Sequence, residues 1–336
     1  MSALRPLQVL LPRGLTDPIR RYWHCRLSHG LFVDLGRDLS RTLVVAGSGR
    51  SGTTWLAELI NFRRTHRFIF EPLNREQVPL VRHFHPVQYL RPQTTDARFV
   101  DPVNRLLLGR IRNSWTDQFT NPRPFYSRRL VKMIRGNLLL KWLHTQFPQV
   151  PIILILRHPC ASALSHAKLG WKIDVFSEFL AQEELVCDFL GPYVDMFRQA
   201  RDPIEGGVVR WCIENVVPLR QFGPGQVHLM CYEELCQNPE VELRRLARFL
   251  GRPFNPAVLR KINRPSALSR SHSAITTGTD LTDGWRRELE PRQNQQAVKT
   301  LARFGLDTIY NDSPMPDSDA AQEMLRANVT SFPVRD

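Results

Sequence analysis

The stretch Thr42-Leu-Val-Val-Ala-Gly-Ser-Gly-Arg-Ser-Gly-Thr-Thr-Trp55 runs from an apolar segment through a glycine-rich turn into a predicted helix. This order is typical of a phosphate-binding loop, because glycines let successive backbone N–H groups point inward and the helix adds its positive N-terminal end. The spacing from Gly47 to Gly52 fits the nucleoside-triphosphate loop, but Thr53 replaces its lysine and the basic residue is Arg50. The loop therefore favours a single 5′-phosphate that carries a transferable group. A strand-to-helix turn without a ligand is the alternative.

The composition limits the partners and the compartment. The chain has 336 residues, a mass of 38.9 kDa, a net charge of +14 and a pI near 10.1. Such a chain can bury a large core, and its charge predicts an anionic partner such as nucleic acid, a membrane surface, an acidic polymer or a phosphorylated cofactor. The six cysteines and ten histidines lack metal-ligand spacing, so we expect no metal. Scattered thiols, with no signal-like or membrane-spanning apolar run, predict a soluble cytoplasmic protein, with peripheral membrane contact left open.

Short apolar runs alternate with helical segments along the chain. After the first run at Thr42, strand-sized runs follow at Arg67–Phe70, Leu130–Ile134, Pro151–Leu156 and Val227–Tyr232. Helices are predicted over Thr53–Asn61, Asn137–Phe147, Asp174–Gln199, Arg210–Phe222 and Glu240–Leu250. This alternation predicts an α/β fold with a parallel β-sheet flanked by helices. We divide the chain into an N-terminal extension (1–40), a main domain (41–310) and a polar, loose C-terminal tail (311–336).

Residues 74–130 differ in composition from the rest of the domain. They carry ten arginines, no lysine and four acidic residues, mixed with aromatic residues and prolines. Arginine forks and aromatic faces suit anionic or sugar-like ligands, so we interpret this segment as a substrate-facing insertion. A solvated, proline-broken surface has the same composition, and both interpretations stay open.

Candidate side chains follow two of the predicted strands. Glu71 comes directly after the run that ends at Phe70, and ligands bind at the carboxyl edge of open α/β sheets. A solvated glutamate in a turn is the alternative. Arg157 follows the run Pro151–Leu156, and Ser165 comes eight residues later, so the two side chains can share one phosphate. A helix cap beside a surface arginine is the alternative there.

From about Thr42 to Tyr310, these segments together resemble the sulfotransferases that use 3′-phosphoadenosine 5′-phosphosulfate. The resemblance implies that the donor is bound by the loop residues Arg50, Ser51, Gly52, Thr53, Thr54 and Trp55. Arg157 and Ser165 match the family's 3′-phosphate pair in residue type and spacing. Tyr232-Glu-Glu resembles a further family stretch, and Gly278 to Arg287 resembles its late basic loop. These two segments add Tyr232 and Arg286 to the implied donor site.

The sequence departs from the enzymes of this family that sulfate phenols and steroids in the cytosol. Those have a lysine in place of Arg50, and a histidine after the strand that here holds Lys132-Met-Ile134. Arg50 with Glu71-Pro72 is more similar to carbohydrate and tyrosylprotein sulfotransferases. The resemblance implies sulfuryl transfer to a hydroxyl of a carbohydrate or other glycan- or lipid-like acceptor. Glu71 would be the base, Arg50 and Lys132 the cations, and no metal or nucleic acid would take part. The next candidates for the base are His66, His83 and His85.

Other functions stay open. A nucleotide kinase-like phosphotransferase would need Mg²⁺ and the loop lysine that Thr53 replaces. A non-catalytic polyanion- or nucleic-acid-binding protein would use the charge of +14, and its affinity would fall steeply with salt. An inactive homologue that keeps the nucleotide site is also compatible with the missing histidine after Lys132.

Overall fold

The computed structural model describes residues 33–119, 121–170, 174–197, 202–266 and 280–331. The strands are β1 (Val33–Asp34), β2 (Thr42–Ala46), β3 (Arg67–Phe70), β4 (Phe125–Tyr126), β5 (Arg129–Met133), β6 (Ile152–Leu156) and β7 (His228–Cys231). Five of them form a parallel sheet in the order β3–β5–β2–β6–β7. β1 and β4 form a separate parallel pair. The parallel α/β fold predicted from the sequence is confirmed.

Alternate residues of each strand of the main sheet enter hydrophobic layers on opposite faces. Val44 and Leu154 pack in one layer, whereas Val45 and Ile153 pack in the other. Successive side chains of a strand point to opposite faces, so a sheet covered on both sides needs unbroken apolar strands. This is why the strands read as continuous apolar runs in the sequence.

Helices cover both faces of the sheet. The longer ones are α1 (Thr53–Ile60), α2 (Ala97–Leu107), α3 (Leu140–Gln146), α4 (Pro159–Ala167), α5 (Pro203–Gln221), α6 (Tyr232–Gln237), α7 (Pro239–Phe249), α8 (Pro291–Phe304) and α9 (Ser318–Ser331). Shorter α-helical pieces are Glu183–Leu185 and Val194–Phe197, and π-helical turns lie at Phe176–Leu180 and Val186–Leu190. The 3₁₀ turns are Leu39–Arg41, Pro79–Val81, Asn137–Leu139, Gly191–Tyr193, Pro256–Lys261 and Gly284–Arg287.

Three predicted segments are wrong in detail. The single helix expected over Asp174–Gln199 is a series of short helical pieces, and residues 198–199 lie outside the described chain. The helix expected from Arg210 begins at Pro203, where the Asp202 side chain accepts a hydrogen bond from the Ile204 N–H. The prediction of a loose C-terminal tail is wrong for α9, because its residues Ala321 and Leu325 are buried against the core.

A buried ion cluster lies at the amino edge of the sheet, where β3 and β5 begin. Arg67 and Arg129 are both 0% exposed. Arg67 forms an ion pair with Asp117 at 2.9 Å, and Arg129 forms one with Asp34 at 2.8 Å. Because Asp34 belongs to β1, the cluster ties the small sheet to the main sheet. Residues 33–40 thus contact the domain, and the domain division made from the sequence stays a prediction.

Candidate active site

The loop between β2 and α1 is held in place by glycines at two close approaches. A Cβ atom at Gly47 would lie 2.6 Å from the carbonyl oxygen of Ile155. Gly52 has a φ of +89°, and a Cβ atom there would lie 2.6 Å from the Tyr232 ring. The Ser51 hydroxyl donates to the Ser48 carbonyl at 2.7 Å inside the loop. The glycines therefore permit a fold of the loop that other residues would block, and the Ser51 side chain serves the loop itself.

A cavity of about 400 Å³ opens beside this loop, at the carboxyl edge of the sheet. Among the described residues that line it, Arg50, Lys132, Arg135 and Arg157 supply four cations, and Glu71 supplies one carboxylate. The excess of positive charge suits an anionic ligand. The other lining residues are Gly52, Thr53, Thr54, Trp55, Phe70, Trp115, Gln118, Ile134, Tyr232 and Ser266.

The strand register brings Glu71 against Lys132. Phe70 pairs with Lys132 across β3 and β5, and the Glu71 N–H donates to the Lys132 carbonyl at 2.8 Å. The Lys132 ammonium donates to Glu71 Oε1 at 2.5 Å, and Arg135 donates to Oε2 at 3.1 Å. Burial lowers the pKa of Lys132, and the nearby Glu71 carboxylate opposes that shift. Both oxygens of the proposed base are therefore held by cations.

Two residues of the cavity have a left-handed backbone. Arg50 has a φ of 67° and Glu71 has a φ of 39°. Residues other than glycine rarely adopt this region of backbone conformation. Such conformations cost roughly 1–3 kcal/mol each and persist only where the surrounding contacts hold them. At Glu71 those contacts include the Trp115 indole N–H, which donates to the Glu71 carbonyl at 3.1 Å. The cavity thus contains local backbone strain at two predicted site residues.

Arg50, Arg157 and Ser165 form one hydrogen-bonded group. Arg157 donates to the Arg50 carbonyl at 3.0 Å, and Arg50 Nε donates to the Ser165 hydroxyl at 2.9 Å. The Arg157 guanidinium lies 4.4 Å from the centre of the Tyr232 ring. From the sequence we placed Arg50 and Ser165 at opposite ends of the nucleotide, whereas here their side chains touch. Arg157 Nε is buried, with no hydrogen-bond partner among the described residues.

Trp55 and Arg286 differ in their relation to the cavity. Trp55 lines it, packs edge-on to Tyr232 at 5.5 Å and donates its indole N–H to the Ile262 carbonyl at 3.2 Å. Arg286 does not line it and lies 3.6 Å from Asp283. Residues 267–279, which include the start of the predicted late basic loop, lie outside the described chain.

The alternative bases do not reach the cavity. His66 precedes β3 at the amino edge, contacts Arg252 at 3.2 Å, and has its pKa lowered to about 3 by burial. His83 and His85 do not line the cavity either.

The sequence did not identify Arg135, although a signal was present. It lies two residues beyond β5 at the same sheet edge, much as Glu71 lies one residue beyond β3. Trp115 was noted only as one of the aromatic residues in the segment 74–130. Because Trp115 comes from a loop, no strand end in the sequence marks its place beside Glu71.

With this geometry established, comparison with known proteins gives the family. The model described as "Sulfotransferase family" matches residues 42–256. This chain belongs to the sulfotransferase family. The nodulation protein NoeE of Sinorhizobium fredii is 26% identical to this sulfotransferase over 238 residues. The match covers 66% of this chain and 53% of NoeE, so the sulfotransferase spans about half the length of that relative.

Solved structures that match this chain include other sulfotransferases. The sulfotransferase domain from the curacin biosynthetic pathway has 18% identity and a TM-score of 0.44, with 79% of this sulfotransferase and 97% of that domain covered. A mouse sulfotransferase complexed with PAP has 15% identity and a TM-score of 0.41, with 96% of this sulfotransferase and 99% of the mouse chain covered.

Two features bear on the cofactors and on membrane contact of the described part of the sulfotransferase. It contains no group of three or more His, Cys, Asp or Glu side chains placed to hold a metal ion. None of its helices combines the length and the apolar character needed to cross a membrane.

Proposed function

We propose that this sulfotransferase moves a sulfuryl group from 3′-phosphoadenosine 5′-phosphosulfate to a hydroxyl of a carbohydrate or other glycan- or lipid-like acceptor. The observation that carries the proposal is the meeting of Glu71, Lys132 and Arg50 in one cavity beside a phosphate-binding loop. Transfer to a hydroxyl needs a base for its proton and cations for the charge that grows on the donor oxygens. These three side chains supply both.

The residues present fit the donor. The Arg157 Nε is buried and has no hydrogen-bond partner among the described residues, which suits a bound anion next to the loop. In this proposal the 5′ end is held by Arg50, Ser51, Gly52, Thr53 and Thr54, the adenine by Trp55 and Tyr232, and the 3′-phosphate by Arg157, Ser165 and Arg286. The donor supplies the activated sulfuryl group and leaves as adenosine 3′,5′-bisphosphate.

Glu71 accepts the proton of the acceptor hydroxyl in this proposal. The Lys132 side chain is 3% exposed and holds Oε1 from inside, whereas the Arg135 side chain is 29% exposed and holds Oε2 from the cavity side. The acceptor hydroxyl therefore approaches Oε2, and Arg135 moves aside to admit it. Lys132 keeps the carboxylate oriented and, together with Arg50, offsets the negative charge that develops during transfer.

The acceptor would lie against the aromatic side of the cavity. Phe70 and Trp115 have ring centres 5.4 Å apart, and both line the cavity next to Glu71. Flat aromatic faces bind the apolar faces of sugar-like or ring-containing acceptors, and Arg135 adds a cation at the same place. These contacts support a glycan-like acceptor.

The donor is tested by thermal unfolding with two nucleotides. A ligand that binds the folded state raises its stability by RT ln(1 + [L]/Kd). Adenosine 3′,5′-bisphosphate should therefore raise Tm much more than AMP, and Arg157→Ala should narrow the difference because it removes a 3′-phosphate contact. Arg292→Ala, at an exposed position on α8, is the matched control and should leave the difference unchanged. Equal shifts for the two nucleotides in the unsubstituted protein would contradict the proposed donor.

The acceptor class is tested with labelled donor against glycans, lipids, phenols and peptides at equal hydroxyl concentration. We expect incorporation of label into glycans or glycolipids. Turnover of phenols alone would refute the proposed acceptor class. It would not affect the proposed donor, which the comparison of the two nucleotides tests separately.

A further inference from the structure

A second and larger cavity, of about 1130 Å³, lies at the opposite edge of the sheet from the candidate active site. Its wall includes Lys141 and Thr145 of α3, Arg220 at the end of α5, and Gln226 just before β7. α3 and α5 lead into β6 and β7, so these positions mark the amino edge of the sheet. The two cavities share no lining residue. A ligand in the second cavity would therefore not touch the sulfuryl-transfer residues.

The basic side chains on this wall differ in whether an acidic side chain lies beside them. Arg91 makes two hydrogen bonds of 2.8 Å to Asp188 and lies 3.4 Å from Glu184, so acidic side chains offset its charge. Lys141 donates instead to the side-chain oxygen of Gln226 at 2.6 Å, and Arg220 donates to the Phe304 carbonyl at 2.9 Å. Both of these partners are neutral.

Lys141 and Arg220 therefore leave positive charge without a counterion. Neither forms an ion pair within the described chain, although both line the cavity. Burial lowers the pKa of Lys141, which is the direction expected when no carboxylate stands nearby to stabilise the ammonium. An anion between these two side chains would supply the negative charge that their neutral partners Gln226 and Phe304 do not.

The rest of the wall is largely apolar. Tyr89 and Phe189 pack edge to face with ring centres 5.8 Å apart, and Met324 of α9 and Pro92 contribute further apolar surface. Thioether and aromatic groups together accommodate apolar ligands of varied shape. Binding pockets of small molecules typically combine such a surface with a few polar groups that fix orientation, and their volumes are roughly 300–1,000 Å³.

We propose that this cavity is a second binding site, for a ligand with one anionic head group and an apolar body. The head group lies between Lys141 and Arg220, and the body packs on Phe189 and Met324. A carboxylate, sulfate or sulfonate head meets the requirement, because each presents oxygens to two cationic donors. A polar nucleotide with two separate phosphates does not match this wall, since acidic side chains already offset the charge of Arg91 and only Lys141 and Arg220 are left for an anion.

The test uses 8-anilinonaphthalene-1-sulfonate, a fluorescent probe with a sulfonate and an apolar body, on the intact 336-residue chain. N-phenyl-1-naphthylamine has the same apolar body without the sulfonate. We expect Lys141→Gln to weaken binding of the sulfonate probe about tenfold, which is the loss of one charge-assisted contact. Binding of the neutral probe should not change. Lys299→Gln, at an exposed position on α8 that does not line the cavity, is the matched control and should leave both probes unaffected.

A second variant keeps the test decisive if Lys141→Gln folds poorly. Met324→Glu places a negative charge on a partly exposed part of the wall. It should weaken binding of the sulfonate probe more than binding of the neutral probe. The proposal is overturned if Lys141→Gln and Lys299→Gln bind the sulfonate probe equally well. It is also overturned if Lys141→Gln or Met324→Glu weakens both probes to the same extent, because the head group would then play no part.

Discussion

In the proposed mechanism Glu71 has two roles, as the base and as the carboxylate partner of the Lys132 ammonium, and one substitution affects both. Glu71→Gln keeps the size of the side chain but cannot accept a proton, so kcat should fall by roughly 10²-fold or more while adenosine 3′,5′-bisphosphate still binds. The same change leaves the buried Lys132 ammonium without a carboxylate, so the free energy of unfolding should also fall. Turnover must therefore be measured well below the Tm of the variant.

Glu76→Gln is the control for that experiment, because Glu76 is exposed and does not line the cavity. It should match the unsubstituted protein in both kcat and Tm. If Glu71→Gln retains near wild-type kcat, Glu71 is not the base. Since His66, His83 and His85 lie away from the cavity, an acceptor hydroxyl activated by Lys132 would then be the next hypothesis.

In the proposed mechanism, Lys132 gives the reaction a distinctive pH dependence. Its pKa lies below the ordinary 10.5 because burial disfavours the charged ammonium. As pH rises through that lowered pKa, Lys132 loses its proton and the cation that supports transfer is lost. We expect log kcat to decline on the alkaline side below pH 10.5. Lys132→Arg should move that decline to higher pH, since the guanidinium stays charged. A profile that is flat up to pH 10.5 in the unsubstituted protein would show that this ammonium is not needed.

At the scale of elements, the sheet could be predicted because each strand must be apolar on both faces. The bounds differ by one residue at most: the run predicted over Leu130–Ile134 is the strand Arg129–Met133. Helical segments between Asp174 and Gln199 were harder to predict. Their π-helical turns shift the position of each following side chain, so no regular spacing of apolar residues marks these segments. α9 was missed because its sequence is polar and few of its side chains pack on the core.

Several residues that line the candidate site could be predicted from the sequence, although Arg135 and Trp115 could not, and neither could the contacts between the residues. Glu71 and Lys132 each lie at a strand end, which the sequence reveals. Their ion pair requires β3 and β5 to be neighbours, although the two strands are separated by the long segment 74–130. The hydrogen bond from Arg50 to Ser165 depends on the side-chain conformation of Arg50, which no spacing rule encodes. The sequence shows the type of each of these residues, but it does not show which of them are neighbours in space.

The ion cluster at the amino edge gives a stability prediction at this scale. Asp34 lies between Arg67 and Arg129, and its side chain is 7% exposed. Asp34→Ala would leave two buried guanidinium groups with one carboxylate fewer, so urea unfolding should show a loss of roughly 3–5 kcal/mol. Glu240→Ala, which removes an exposed ion pair with Arg244, should change stability far less. A loss at Asp34 no larger than that at Glu240 would mean that the cluster does not tie the two sheets together.

The whole molecule carries a net charge of +14, and part of that charge is concentrated at two cavities on opposite edges of one sheet. A general polyanion-binding surface would spread its cations over exposed positions and would lose affinity steeply with salt. Lys132 and Arg157, in contrast, are held by specific ring and carboxylate contacts inside the active-site cavity. This placement favours recognition of a defined small anion at the active site.

Sulfuryl transfer and the phosphotransferase alternative differ in their need for Mg²⁺. A nucleotide kinase neutralises the phosphate charge with Mg²⁺ and a loop lysine, but Thr53 occupies the lysine position here. Arg50, Lys132, Arg135 and Arg157 bring four cations to the cavity and can offset the same charge without a metal. Turnover with labelled sulfuryl donor should therefore be unchanged in excess EDTA, while a Mg²⁺-dependent kinase assayed in the same buffer loses its activity. Activity that vanishes in EDTA and returns specifically with Mg²⁺, above all with ATP as donor, would favour the kinase.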